Sequence, residues 1–106
     1  MAGLATETAA YLGQSLTFAP ADIEVDDAYL GGGYAVIGEP EREAIRLFAR
    51  TEGLLLDPVY TGRAAAGLID LIRKGRFTRD ETVLFWHTGG TAGLFGFGPD
   101  LIGSGT

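Results

Sequence analysis

A chain of 106 residues, 46% of them hydrophobic, has room for one domain with a core of its own and no more. Its formal net charge of −6 argues against nucleic acid or an anionic membrane as partner, because phosphate binding relies on clustered lysine and arginine. With no cysteine there is neither a disulfide framework nor a thiolate metal site, and one histidine alone builds no transition-metal centre. These features suit a reducing cytoplasm, and the start Met1-Ala2-Gly3-Leu4-Ala5-Thr6-Glu7 lacks the basic and apolar regions of a signal peptide.

Apolar periodicity predicts a helix from about Ala2 to Leu12, with Gly13 as its stop. The alternation in Asp22-Ile23-Glu24-Val25-Asp26-Asp27 predicts a short half-buried strand, and Gly31-Gly32-Gly33 then breaks regular structure beside Tyr34. A second helix is expected from Pro40, in its first turn, to Gly53. Ala44, Leu47, Phe48 and Thr51 share one face, and Arg42, Arg46 and Arg50 form a solvated stripe on another. Leu54-Leu55-Leu56 reads as an inner strand or extended link.

Asp57-Pro58 enforces a turn, and a third helix is expected over Thr61–Lys74, buried along Ala65, Leu68, Ile69 and Ile72 and stopped by Gly75. Asp70 and Lys74 would pair on its exposed side. Thr82-Val83-Leu84-Phe85-Trp86 is a continuous apolar run, as in a strand covered on both faces. A short helical turn through Leu94 and Phe95 and a loose tail, Gly103-Ser104-Gly105-Thr106, complete the chain. The pattern is α/β with a parallel-type crossover, and it offers few strands for a sheet that must be covered on both sides.

Ligands of open α/β sheets gather beyond the carboxyl ends of strands. Two such ends are expected: one after Leu56, reaching Tyr60 and Thr61 at a helix N-terminus, and one after Trp86, reaching His87, Thr88 and Gly89. His87 has no partnered carboxylate or serine at a recognised spacing and reads as structural. Lys74, the only lysine, ends a helix among other charges, where a cation suits the helix dipole. A Schiff-base lysine needs burial and a lowered pKa, so Lys74 reads as a solvated surface residue.

Glu52-Gly53-Leu54-Leu55-Leu56-Asp57-Pro58-Val59-Tyr60-Thr61-Gly62-Arg63, then Trp86-His87-Thr88-Gly89-Gly90, resembles one wall of the cofactor pocket in pyridoxal-phosphate enzymes of the 1-aminocyclopropane-1-carboxylate deaminase and D-cysteine desulfhydrase family. The resemblance runs from about Ala5 to Phe97 and is dense from Ala35 to Gly90. It implies an α/β fold: part of a three-layer sandwich of the tryptophan synthase beta-like type, an incomplete parallel sheet with flanking helices. It implies catalytic roles for Tyr34 and Tyr60, both facing cofactor and substrate, and places Thr61 and Thr88 beside the cofactor ring. The position of Thr61 looks like glutamate in the deaminases and threonine in the desulfhydrases. A neutral hydroxyl keeps the pyridine nitrogen less protonated than a carboxylate would, which suits loss of a leaving group from the β-carbon.

The expectation is a D-cysteine desulfhydrase-like lyase releasing pyruvate, hydrogen sulfide and ammonia from a small amino acid, with pyridoxal phosphate as cofactor of the complete enzyme. No Schiff-base lysine or phosphate loop is recognisable, so residues 1–106 are expected to be its C-terminal segment, inactive alone and completed by an N-terminal chain or a homodimer. A deaminase segment and a non-catalytic interaction module derived from the fold are the alternatives. The sequence departs from the family pattern at Gly32, where an acidic residue is frequent, and at Arg63, where lysine is usual.

Overall fold

The computed structural model describes residues 1–102, so the expected loose tail 103–106 lies outside the described residues. Five α-helices follow in chain order: α1 (Ala2–Tyr11), α2 (Glu39–Glu52), α3 (Thr61–Arg73), α4 (Thr91–Leu94) and α5 (Gly98–Ile102). Short 3-10 turns occupy Pro20–Asp22 and Phe95–Phe97. Gly13, Gly53 and Gly75, the expected stops, all sit in the left-handed region just past α1, α2 and α3. There, Leu54 N–H reaches back to Phe48 O and Arg76 N–H to Leu71 O, closing the helix ends.

Helices α2 and α3 form the core by packing small residues together. Ala44 and Ile45 of α2 meet Ala65 and Ala66 of α3, with Leu56 beneath and Leu101 of α5 closing the side. The approach is close at Gly62, where a Cβ would lie 2.5 Å from Asp57 O and 3.2 Å from Ile45 Cδ1. Four residues of the expected faces lie outside this core: Leu47, Thr51 and Ile72 are exposed, and Leu68 lines an open groove. The arginine stripe is also not simply solvated. Arg42 Nε donates to Asp100 O at 2.9 Å and Arg46 Nη2 to Leu101 O at 2.8 Å, so the stripe seats α5 on α2.

The expected strands are a correction. Among the described residues no segment is a strand: Asp22 ends a 3-10 turn, and 54–56 and 82–86 have no backbone ladder. A strand needs the amides and carbonyls of a second extended segment, and neither 54–56 nor 82–86 is backbone-paired with one. Phe85 packs on Phe48 with ring centroids 5.3 Å apart, and His87 reaches Leu55 O. Nor is the run 82–86 covered on both faces. Phe85 and His87 turn inward, while Leu84 is 80% and Trp86 76% exposed.

The radius of gyration is 16.4 Å, against about 13 Å for a compact domain of this length. The excess reflects an open shape, 55 × 31 × 26 Å, with wide apolar surface. Among the described residues no helix is long and apolar enough to cross a membrane.

Candidate functional site

Asp57 is the point on which two segments of the site are fixed. Its Oδ2 accepts from the Val59 and Tyr60 amides, each at 2.8 Å, and its Oδ1 from the Thr61 amide at 3.0 Å. Thr61 Oγ1 also donates to Oδ1 at 2.7 Å and accepts from Asp57 N–H at 2.9 Å. The carboxylate therefore satisfies the free amides at the start of α3, as a capping residue does. Burial would raise its pKa, but these hydrogen bonds from Thr61, Tyr60 and Val59 hold it below the ordinary carboxylate value.

The second segment rests on the same side chain. Gly90 has φ +89°, and a Cβ there would lie 2.5 Å from Asp57 Oδ1, so the turn after Thr88 approaches Asp57 as only glycine can. Thr91 Oγ1 and His87 Nε2 both meet Leu55 O, at 3.0 and 3.2 Å. Gly89 N–H donates to His87 Nδ1 at 3.0 Å, which assigns the proton of the neutral ring to Nε2. Both ring nitrogens are thus engaged in holding the loop, in line with a structural histidine.

Tyr34 and Tyr60, 26 positions apart in sequence, come together edge to face with ring centroids 6.3 Å apart. They stand on one wall of an open groove of about 860 Å³, whose other lining includes Tyr29, Leu84 and Trp86. Both rings are largely exposed. The neighbouring Tyr34 phenol raises the Tyr60 pKa above the usual phenol value, and desolvation and Asp57 add to this. Tyr60 therefore carries its proton at neutral pH.

The other two expected residues lie elsewhere. Thr61 is 2% exposed with its hydroxyl engaged by Asp57, and Thr88 is exposed; neither lines the groove that holds the tyrosines. The structure so joins Tyr34 to Tyr60 directly and connects Thr61 and Thr88 to them through Asp57 and Gly90. The sequence shows Asp57 only as part of a turn, because it stands four positions before Thr61, outside the usual N-cap position directly before the helix.

A second missed feature is the ion pair of Arg63 with Glu41. Arg63 Nε lies 3.3 Å from Glu41 Oε1, with both side chains largely buried. Glu41 Oε2 accepts from Gly38 N–H at 2.9 Å. Gly32 tolerates little: a Cβ there would press on Val36 Cγ1 at 3.1 Å.

An exposed tyrosine pair at an apolar groove fits one face of a planar aromatic ring. Covalent attachment does not fit. Lys74 Nζ lies 2.6 Å from Asp70 Oδ2, and the hydrogen bond and charge of Asp70 raise its pKa, the opposite of what a Schiff-base lysine needs.

Residues 3–89 match the family model described as "Pyridoxal-phosphate dependent enzyme". D-cysteine desulfhydrases of Salmonella typhi and Salmonella newport are each 50% identical over 92 residues, covering 87% of this chain and 28% of theirs. A crystal structure of an ACC deaminase homologue superposes with a TM-score of 0.67 at 40% identity, over 94% of this chain and 29% of that one. The chain thus spans under a third of the length of the relatives it matches, and it shares the fold of that homologue apart from the sheet, which does not form among the described residues. The full enzymes of the family use pyridoxal phosphate. By its match over most of its length, the chain belongs to the pyridoxal-phosphate dependent enzyme family.

Proposed function

We propose that this chain supplies the ring-facing wall of the cofactor pocket in a D-cysteine desulfhydrase-like lyase, with the covalent anchor on other polypeptide. The observation that carries the reading is the Tyr34–Tyr60 pair on the groove wall. When bound, pyridoxal phosphate supplies an electron sink for bonds broken at the substrate's α- and β-carbons. Tyr60, with its raised pKa, holds a proton at Oη and donates a hydrogen bond to an anionic group of a small amino acid, its carboxylate or departing sulfur. Tyr34 sets the position of that hydroxyl.

The family resemblance assigns Thr61 and Thr88 to the side of the ring nitrogen, behind the groove wall that carries the tyrosines. The Thr61 position holds a neutral hydroxyl, oriented by Asp57, where a deaminase would carry glutamate. That difference supports β-elimination, with pyruvate, hydrogen sulfide and ammonia as products, over opening of a cyclopropane ring.

The test is complementation. The chain alone is expected to give no pyruvate or sulfide from D-cysteine. Mixing it with the lysine-bearing N-terminal part of a D-cysteine desulfhydrase is expected to restore both, and Tyr60→Phe to lower kcat by about 10²-fold or more, the scale of a lost acid–base group. No gain on mixing, or a gain untouched by Tyr60→Phe, would overturn the reading. A well-defined oligomer of the chain alone, with no such complementation, would favour a non-catalytic module, consistent with the bare Leu84 and Trp86 face.

A further inference from the structure

We propose that Arg63 is the positioning residue for Tyr34, tying the glycine-rich loop 31–38 to α3 so that the Tyr34 ring stands against Tyr60. The bearing of this on substrate rests on the reading above; the positioning itself is a property of this chain alone.

The loop has little else to hold it. Gly31 and Gly33 have positive φ, and Ala35 sits at φ +58°, a left-handed conformation that is strained for a residue with a side chain. Such a conformation persists only where its surroundings enforce it. The sole backbone hydrogen bond found within the loop is Val36 N–H to Gly33 O, at 3.3 Å. The two carbonyls that flank Tyr34-Ala35 both point at one guanidinium. Arg63 Nη2 donates to Val36 O at 2.7 Å and also to Gly33 O.

The guanidinium is in turn fixed from behind. Its Nε meets Glu41 Oε1, while Glu41 Oε2 takes the Gly38 amide at the other end of the loop. The Glu41 side chain is 5% and the Arg63 side chain 13% exposed, so the pair is desolvated and a missing partner is costly. Arg63 lies in the first turn of α3, three residues after Tyr60. One side chain thus refers the Tyr34 loop to the same helix end that places Tyr60. Only an arginine's fork serves the carboxylate and both carbonyls together; a lysine presents a single nitrogen.

The experiment uses the full chain with ring-labelled tyrosine and phenylalanine in nuclear magnetic resonance. Arg63→Gln is expected to abolish cross-peaks between the Tyr34 and Tyr60 rings while the Phe48–Phe85 cross-peaks remain. The Tyr60 pKa should fall toward the usual phenol value as Tyr34 leaves. A purely electrostatic role would move it the other way, since removing a cation disfavours phenolate. In a Tyr34→Phe background, Arg63→Gln should shift the Tyr60 pKa no further. Should Arg63→Gln fail to fold, Arg63→Lys is expected to weaken the Tyr34–Tyr60 cross-peaks without losing helix by circular dichroism. Ring contacts and Tyr60 titration that match the wild type in a folded Arg63 variant would overturn the proposal. The same measurements leave the complementation result untouched, so either reading can fail without the other.

Discussion

Asp57 and Thr61 are joined by three hydrogen bonds: the threonine hydroxyl and amide both donate to the carboxylate, and the hydroxyl accepts the aspartate's own amide. This reciprocal closure fixes the start of α3, and with it the direction in which Tyr60 leaves the helix. Asp57→Ala is expected to destabilise the chain by about 2 kcal/mol, the upper range for a capping residue, read as a lower denaturant midpoint. Because the folded-state pKa of Asp57 lies below its unfolded value, its contribution is present above an unfolded pKa of about 3.9 and lost as pH falls through the folded value. Asp57→Asn should therefore flatten the acid limb of the stability profile; an unchanged acid limb would show that the carboxylate charge contributes nothing.

Gly90 bears on the same carboxylate. Any side chain there meets both a positive φ and the Asp57 oxygen 2.5 Å from its Cβ. Gly90→Ala is expected to cost about 2 kcal/mol or more. It should also alter the chemical shift of the Thr61 amide, although the two positions are 29 apart. Gly93, where a Cβ meets nothing within 4 Å, is the control: Gly93→Ala should be neutral or mildly stabilising.

Lys74 tests the negative half of the functional reading. Its ammonium is held by Asp70, which also accepts from Tyr29 Oη at 2.7 Å, and the raised pKa keeps it protonated at neutral pH. Incubation with pyridoxal phosphate and borohydride at pH 7 is expected to leave Lys74 unlabelled by mass spectrometry. Asp70→Asn removes the charge that raises the pKa and leaves only a neutral acceptor, so reducible adduct should increase. Stoichiometric labelling of Lys74 in the wild-type chain would defeat the claim that the anchor lies elsewhere.

What sequence made legible follows from the range of the forces involved. Helices α1, α2 and α3 and their glycine stops are set by periodicity and local backbone chemistry, and they stand within a residue or two of expectation. The strands failed because pairing is non-local: the apolar run at 82–86 needs a partner that the described residues do not provide. In the site, the juxtaposition of Tyr34 with Tyr60 came from family resemblance, as no spacing rule joins positions 26 apart. The Arg63–Glu41 pair was invisible for a related reason. Arg63 reads in sequence only as a departure from the usual lysine, and its partner appears only when α2 and α3 are packed, which buries it against Glu41.

The face carrying Leu84 and Trp86 offers a direct optical test of completion by other polypeptide. Trp86 is the only tryptophan and is 76% exposed, so the chain alone should emit at the long wavelength of a hydrated indole. If the lysine-bearing part of a desulfhydrase covers this face, titrating it in should move the emission to shorter wavelength with the same midpoint as recovered activity. Covering two such side chains contributes about 3–5 kcal/mol, at 1.5–3 kcal/mol for each large apolar group. Leu84→Asp places a charge in that contact and should weaken association by about 100-fold, the equivalent of some 2.7 kcal/mol. Activity recovered with Trp86 emission unchanged would move the contact to another surface, such as the exposed apolar side of α1 around Leu4 and Leu12.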